Sequence, residues 1–203
     1  MLTFDPANYA PQDIYKLMVG SIVPRPIAFV STVDANGVGN LAPFSFFTAA
    51  SANPPVVCFC PMLRRVGPPE KDTLRNVEAT REFVVNIVSE EFAERMNLCS
   101  AEVPPEVNEF DISGLTPLAS ELVRPPRVAE SHVQMECRLL QVVRVSDKPM
   151  GGVLVLGEVL RFHVREGLVA EFRIDPAKLK AIGRMAGTTY VRTTDRFDMD
   201  RPH

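Results

Sequence analysis

Six side chains with hydroxyl or amide groups, Ser31, Thr32, Asn40, Ser45, Thr48 and Ser51, recur in segments that are otherwise apolar. Buried groups of this kind need hydrogen-bond partners. Either they satisfy strand ends and turns, or they face a large, flat ligand with a polar edge. Lys71-Asp72-Thr73 stands at a predicted helix start and adds a cation, a hydroxyl and free backbone N–H groups, a combination suited to a phosphate. A solvated helix cap accounts for the same three residues.

Other chemistries are excluded by pattern. Residues 37–42 (Gly-Val-Gly-Asn-Leu-Ala) fit GxGxxA after a strand, but a dinucleotide fingerprint must open a helix and Pro43 follows at once. No GxSxG, SxxK or P-loop sequence is present, which removes the common covalent hydrolases and nucleotide hydrolases. His132, His163 and His203 with the Cys58-x-Cys60 pair give neither HExxH nor zinc-ligand spacing, so no metal site is expected. The two thiols, at alternate strand positions, read as core packing.

The elements that must position the polar run are mostly strands. Residues 26–33 are rich in β-branched and aromatic types, and 34–37 (Asp-Ala-Asn-Gly) supply a tight turn, so a hairpin with a return strand over 39–47 is expected. A third strand is read at 56–60, after the break at 53–55. Residues 71–78 read as a short helix capped by Asp72 or Thr73, 82–88 as a strand, and 89–96 as a second helix with Ser89 as its cap. A proline-punctuated stretch covers 104–126. Two long strands, 131–146 and 153–165, turn at 149–152, with a final short helix at 176–182 and a polar, arginine-rich tail at 184–203.

These elements make a mainly β, α+β chain of six or seven largely antiparallel strands with short helices and no regular βαβ alternation, which predicts a closed or partly closed barrel. Its 203 residues fit one domain, 1–203, and no linker long enough to divide them is present. Hydrophobic residues at 46% and charged residues at 23% fit a chain that buries a core, while 18 prolines rule out long helical bundles. A net charge of −3 without blocks of like sign argues against nucleic acid or an anionic membrane as partner. The uncharged stretch 35–63 contains four prolines and cannot span lipid as a helix. With no secretory pattern at the start and no CxxC pair, a reducing cytoplasm is the expected location.

The ordered set Arg25-Pro-Ile-Ala-Phe-Val-Ser-Thr32, Asn40-Leu-Ala-Pro-Phe-Ser-Phe-Phe47, Pro54-Pro55, Lys71-Asp-Thr73 with Asn76, and Glu82-Phe-Val-Val-Asn86 resembles the flavin reductase-like, FMN-binding split-barrel family. Residues 130–137 and Arg184-Met-Ala-Gly187, with Tyr190, Phe197 and Arg201-Pro202, resemble its flavoredoxin-like branch, although Met185-Ala186 stands where that branch more often has Leu-Gly. The resemblance implies a homodimer of antiparallel six-stranded Greek-key split barrels with peripheral helices and FMN near the subunit interface. By position, Ser31 and Thr32 would bond the flavin or its ribityl chain, Asn40, Leu41, Ala42, Pro43, Phe44 and Ser45 would line the ring, and Lys71, Asp72 and Thr73 would meet the phosphate. His132 and Arg184 are further contacts, from across the dimer. It implies an oxidoreductase that reduces flavin with NADH or NADPH and serves a partner monooxygenase, or an electron carrier that exchanges electrons with another redox protein. No catalytic side chain is implied, since the flavin carries the chemistry.

Overall fold

The computed structural model describes residues 1–202, so His203 lies outside the described residues. The expected hairpin is present: β1 (Ala28–Val33) pairs antiparallel with β2 (Gly39–Phe44), with Thr32 opposite Asn40 and Ala28 opposite Phe44. Its loop is held by the Asp34 carboxylate, which accepts from the N–H groups of Asn36 and Val38 at 2.8 Å each, and by Gly37 at φ 88°.

The return strand ends at Phe44, three residues earlier than expected. A further strand, β3 (Phe47–Ala52), then pairs with β4 (Pro55–Phe59), so the break at 53–55 is itself a hairpin turn and the main sheet has seven strands where the resemblance implied six. β3 escapes a sequence reading because it is an exposed edge of small and polar residues with no apolar alternation to show a strand period.

Helix α1 (Pro11–Ser21) precedes β1 and was not expected from a segment in which only Val19 is buried. Helix α2 (Asp72–Thr80) leads into β5 (Glu82–Ile87) through Arg81, which takes the left-handed conformation at φ 65°. Lys71, not Asp72 or Thr73, holds the cap position of α2, because the Asp72 carboxylate binds Arg64 and Arg75 and the Thr73 hydroxyl accepts from Asn40. The expected helix at 89–96 is a 3-10 turn, Glu90–Phe92, followed by α3 (Ala93–Leu98). Then come α4 (Glu109–Ser113), the short pair β6 (Pro117–Leu118) and β7 (Arg127–Val128), and the long hairpin β8 (Val133–Arg144) and β9 (Val153–Val164). Beyond a small hairpin, β10 (Val169–Ala170) and β11 (Arg173–Ile174), lies α5 (Pro176–Leu179), shorter than expected. At the start of the arginine-rich tail, β12 (Ile182–Arg184) pairs with β13 (Tyr190–Arg192).

The sheet runs β2-β1-β5-β8-β9-β4-β3, antiparallel at every pairing. Its outermost strands, β2 and β3, are consecutive in the chain and separated only by Ser45 and Phe46, so the sheet rolls into a barrel whose edges meet at that corner without a ladder between them. Inside the barrel, Phe59 packs between Phe44, tilted to it, and Phe83, edge-on, at ring-centroid distances of 5.2 and 5.3 Å, joined by Val30, Leu74, Val85 and Val155. On the outer face Phe29, Leu41, Phe92, Met96 and Phe110 form a second core under α3 and α4. Neighbouring residues of β1 thus enter different cores, as a period of two requires, and this explains why all six of its residues are buried.

A Cβ built on Gly157 of β9 collides with the Phe83 ring. Gly157→Ala is therefore expected to cost about 1–3 kcal/mol through overpacking; an unchanged urea midpoint would show that Phe83 can move aside.

Candidate functional site

The polar run docks α2 on the first hairpin. Asn76 donates to the Thr32 hydroxyl at 3.1 Å, and Asn40 donates to the Thr73 hydroxyl at 2.9 Å. Thr32 and Asn40 face each other across β1 and β2, while residues 73 and 76 are one helical turn apart, so two neighbouring strand positions grip one helix face. The start of α2 is thereby fixed beside edge strand β2, with the Lys71 ammonium 5.6 Å from the centre of the Phe44 ring.

Two cavities lie along β2 and adjoin, since Pro43 and Ser100 line both. The first, of about 120 Å³, is walled by Asn40, Ala42, Arg64, Lys71, Thr73 and Glu109. The second, of about 200 Å³, is walled by Tyr15, Ile27, Ser45, Met96, Arg184 and Tyr190. Together they form a trough with Pro43 at its middle.

The charges along it are uneven. Lys71 is half-buried and makes no ion pair among the described residues; burial pushes its ammonium down from the usual range, while Glu102 acts upward and Arg64 downward. The neighbouring Asp72 is already engaged, at 2.8 Å from Arg64 and by Arg75. Glu109 is buried and accepts the Leu41 N–H at 2.9 Å, which covers an edge-strand donor; burial raises its pKa against that bond. At the far end the Arg184 guanidinium lies 4.4 Å from the Tyr190 ring centre. Arg25 is buried behind Ser45 and donates to its hydroxyl at 3.3 Å.

Of the residues singled out from sequence, Asn40, Ala42, Pro43, Ser45, Lys71, Asp72, Thr73 and Arg184 line the trough. Leu41 and Phe44 point into the two cores, and only the Leu41 N–H and the Phe44 ring edge toward Lys71 belong to the site. Ser31 and Thr32 are fully buried behind it. The Ser31 hydroxyl donates to the Pro126 carbonyl, and the Asn86 amide beside it binds Phe29 O at 3.0 Å and Val128 N at 2.8 Å. His132 lines a different pocket with Gln134 and His163; its Nε2 is 3.2 Å from a Glu91 carboxylate oxygen and its Nδ1 has no partner among the described residues.

Sequence reasoning missed Arg25, Arg64, Glu109 and Tyr190 as site residues. Arg25 left a trace, a charge set just before a strand rich in β-branched and aromatic residues. Glu109 left none, since its partner lies 68 residues away. Cys58 and Cys60 are free, half-buried thiols that burial holds in the protonated form. Among the described residues no three metal-ligating side chains gather, and no helix is long and apolar enough to cross a membrane.

Residues 19–178 match the family model described as "Flavin reductase like domain". Nitrilotriacetate monooxygenase component B from Bacillus cereus superposes with a TM-score of 0.92 at 38% identity, over 98% of both chains. The 2-nitrobenzoate 2-nitroreductase of Pseudomonas fluorescens gives 0.89 at 30% identity, over 99% of this chain and 96% of that one. A protein with a split barrel domain from Shewanella frigidimarina, at 19% identity and a TM-score of 0.86 over both whole chains, shares the fold.

Because folding raises the Glu109 pKa, the folded chain holds this proton more tightly than the unfolded one, and stability falls as pH climbs from the ordinary carboxylate range through the raised value. Glu109→Gln keeps an acceptor for Leu41 and is expected to remove that fall, whereas Glu109→Leu strands the N–H and costs about 1–3 kcal/mol. Urea unfolding from pH 4 to 8 checks both; a pH-independent gap between wild type and the Gln variant contradicts the assignment.

Proposed function

The chain belongs to the flavin reductase-like family, and from that premise we propose that it is an FMN-binding oxidoreductase that reduces flavin with NADH or NADPH. The observation that carries this reading is the trough along β2, with a half-buried, unpaired ammonium at one end and a polar, arginine-bearing wall at the other. These features suit the two ends of FMN. Lys71, Thr73 and the first N–H groups of α2 would hold the phosphate, which would give Lys71 a directly bonded anion. Ser45, Arg184 and Tyr190 would face the ring, with Pro43, Ala42 and Asn40 along its length.

Bound FMN supplies the hydride chemistry, accepting two electrons at its ring. The protein's part is to bind and orient. Donors at Ser45 and Arg184 would favour negative charge on a bound ring, and no side chain would be required as acid or base. Asp72 acts indirectly, drawing Arg64 and Arg75 to the mouth of the phosphate end. Ser31 and Thr32 act one layer back, Thr32 through Asn76 and α2, Ser31 through the segment at Pro126. A homodimer would bring His132 of a second copy to the cofactor, and the likeness to a monooxygenase component supports a partner monooxygenase as receiver of the reduced flavin. Four free cysteines are consistent with work in a reducing cytoplasm.

The purified protein is expected to show a flavin absorption spectrum, natively or after addition of FMN, that bleaches anaerobically with NADH or NADPH, and to oxidise the nicotinamide with saturable dependence on free FMN. A bound flavin that resists both nicotinamides but yields to dithionite would replace the reductase with an electron carrier. Lys71→Ala is expected to weaken FMN binding by about 1.5–3 kcal/mol, the worth of a hydrogen bond to a charged group. Unchanged affinity in a fluorescence titration removes Lys71 from the phosphate site.

A further inference from the structure

Arg25 is 5% exposed, and among the described residues its guanidinium bonds only neutral oxygens. Nη1 donates to the carbonyls of Val19 at 2.6 Å and Ile22 at 2.9 Å, Nη2 to that of Met185 at 2.9 Å, and Nε to the Ser45 hydroxyl at 3.3 Å. Val19 and Ile22 close the C-terminal end of α1, the negative end of its dipole, which partly offsets the charge. The main chain of Arg25 also exchanges two hydrogen bonds with Arg184, at 3.0 and 2.8 Å. One side chain therefore ties α1, the tail hairpin β12–β13 and the corner between the sheet edges to a single point.

A buried cation without a carboxylate is a costly way to join three elements, because an apolar side chain of similar size would avoid the desolvation. Burial pushes the Arg25 pKa down, Tyr15 acts upward and Arg184 downward, yet an arginine keeps its charge in a protein. Its Nε faces the hydroxyl of Ser45, which lines the second cavity of the trough.

We propose that Arg25 is a positioning residue for the ring end of the trough, which fixes Ser45 and the Arg184–Tyr190 hairpin and, with Arg184, holds a positive potential there that favours reduced over oxidised FMN. This rests on the FMN reading above. A ring that gains negative charge on reduction is stabilised by a fixed cation beside it, whereas a merely mechanical role would affect both redox forms alike.

The test is an anaerobic titration of the full-length protein with oxidised FMN and with dithionite-reduced FMN, for wild type, Arg25→Gln and Arg25→Lys. Wild type should bind the reduced form the more tightly of the two. Arg25→Gln should lower that preference about tenfold, the size of one charge acting across a protein site. Arg25→Lys keeps the charge but not the forked contacts, so it should weaken both forms several-fold and leave their ratio as in wild type. An Arg25→Gln protein with native circular dichroism and an unaltered ratio overturns the electrostatic role. If the Gln variant does not fold, Arg25→Lys decides: unchanged affinities overturn the positioning role, and a ratio that falls with the charge retained overturns the electrostatic one. A wild type that binds neither form instead defeats the FMN reading, and this proposal with it.

Discussion

Ser45 and Phe46 are the whole of the connection between the two outermost strands of a seven-stranded sheet. Six spacings of about 4.8 Å would hold the edges of a flat sheet about 29 Å apart. The three Cα steps from Phe44 to Phe47 reach about 11 Å at most. The sheet can form all its pairings only by rolling, and rolling brings Phe44 from one edge against Phe59 from the strand beside the other edge. The barrel core, the split between its edges and the exposed flank of β2 along which the trough runs all follow from that short link.

An exposed edge strand leaves N–H and carbonyl groups without a ladder, and the way these are covered defines the site. Glu109 takes the Leu41 N–H, and Pro43 has none to offer. α2 is laid alongside by the Thr32–Asn76 and Asn40–Thr73 pairs, so side chains that resemble ligand contacts in a linear reading are in part the fastening of a helix. The fastening still serves the site, because it sets Lys71 and the start of α2 at one end of the trough.

Charge follows the same division of labour. Of the acidic groups near the phosphate end, Asp72 is engaged by two arginines and Glu109 accepts the Leu41 N–H, which leaves Glu102 on the same wall as the carboxylate that acts on Lys71. At the opposite end Arg25 and Arg184 are linked through their main chains and have no carboxylate between them. The trough thus carries Lys71 and Arg64 at one end and Arg184 at the other, with Pro43 between them.

Short-range constraints were legible in the sequence. The first hairpin, the β8–β9 pair, the helix after Lys71 and the residues along Asn40–Ser45 follow from alternation, turn chemistry and proline, all of which act within a few residues. The resemblance to flavin reductases rests on the same local stretches. What only the tertiary structure decided has partners far apart in the chain: Glu109 on Leu41, Arg25 on Met185, Ser31 on Pro126, and β3 on the opposite edge from β2. β3 carries no periodic signature because one exposed edge needs no apolar face, and α1 shows little because it buries a single side chain. Which hydroxyl faces the trough and which is sealed behind it depends on how the sheet rolls, and the roll is fixed by a link too short to let the edges part.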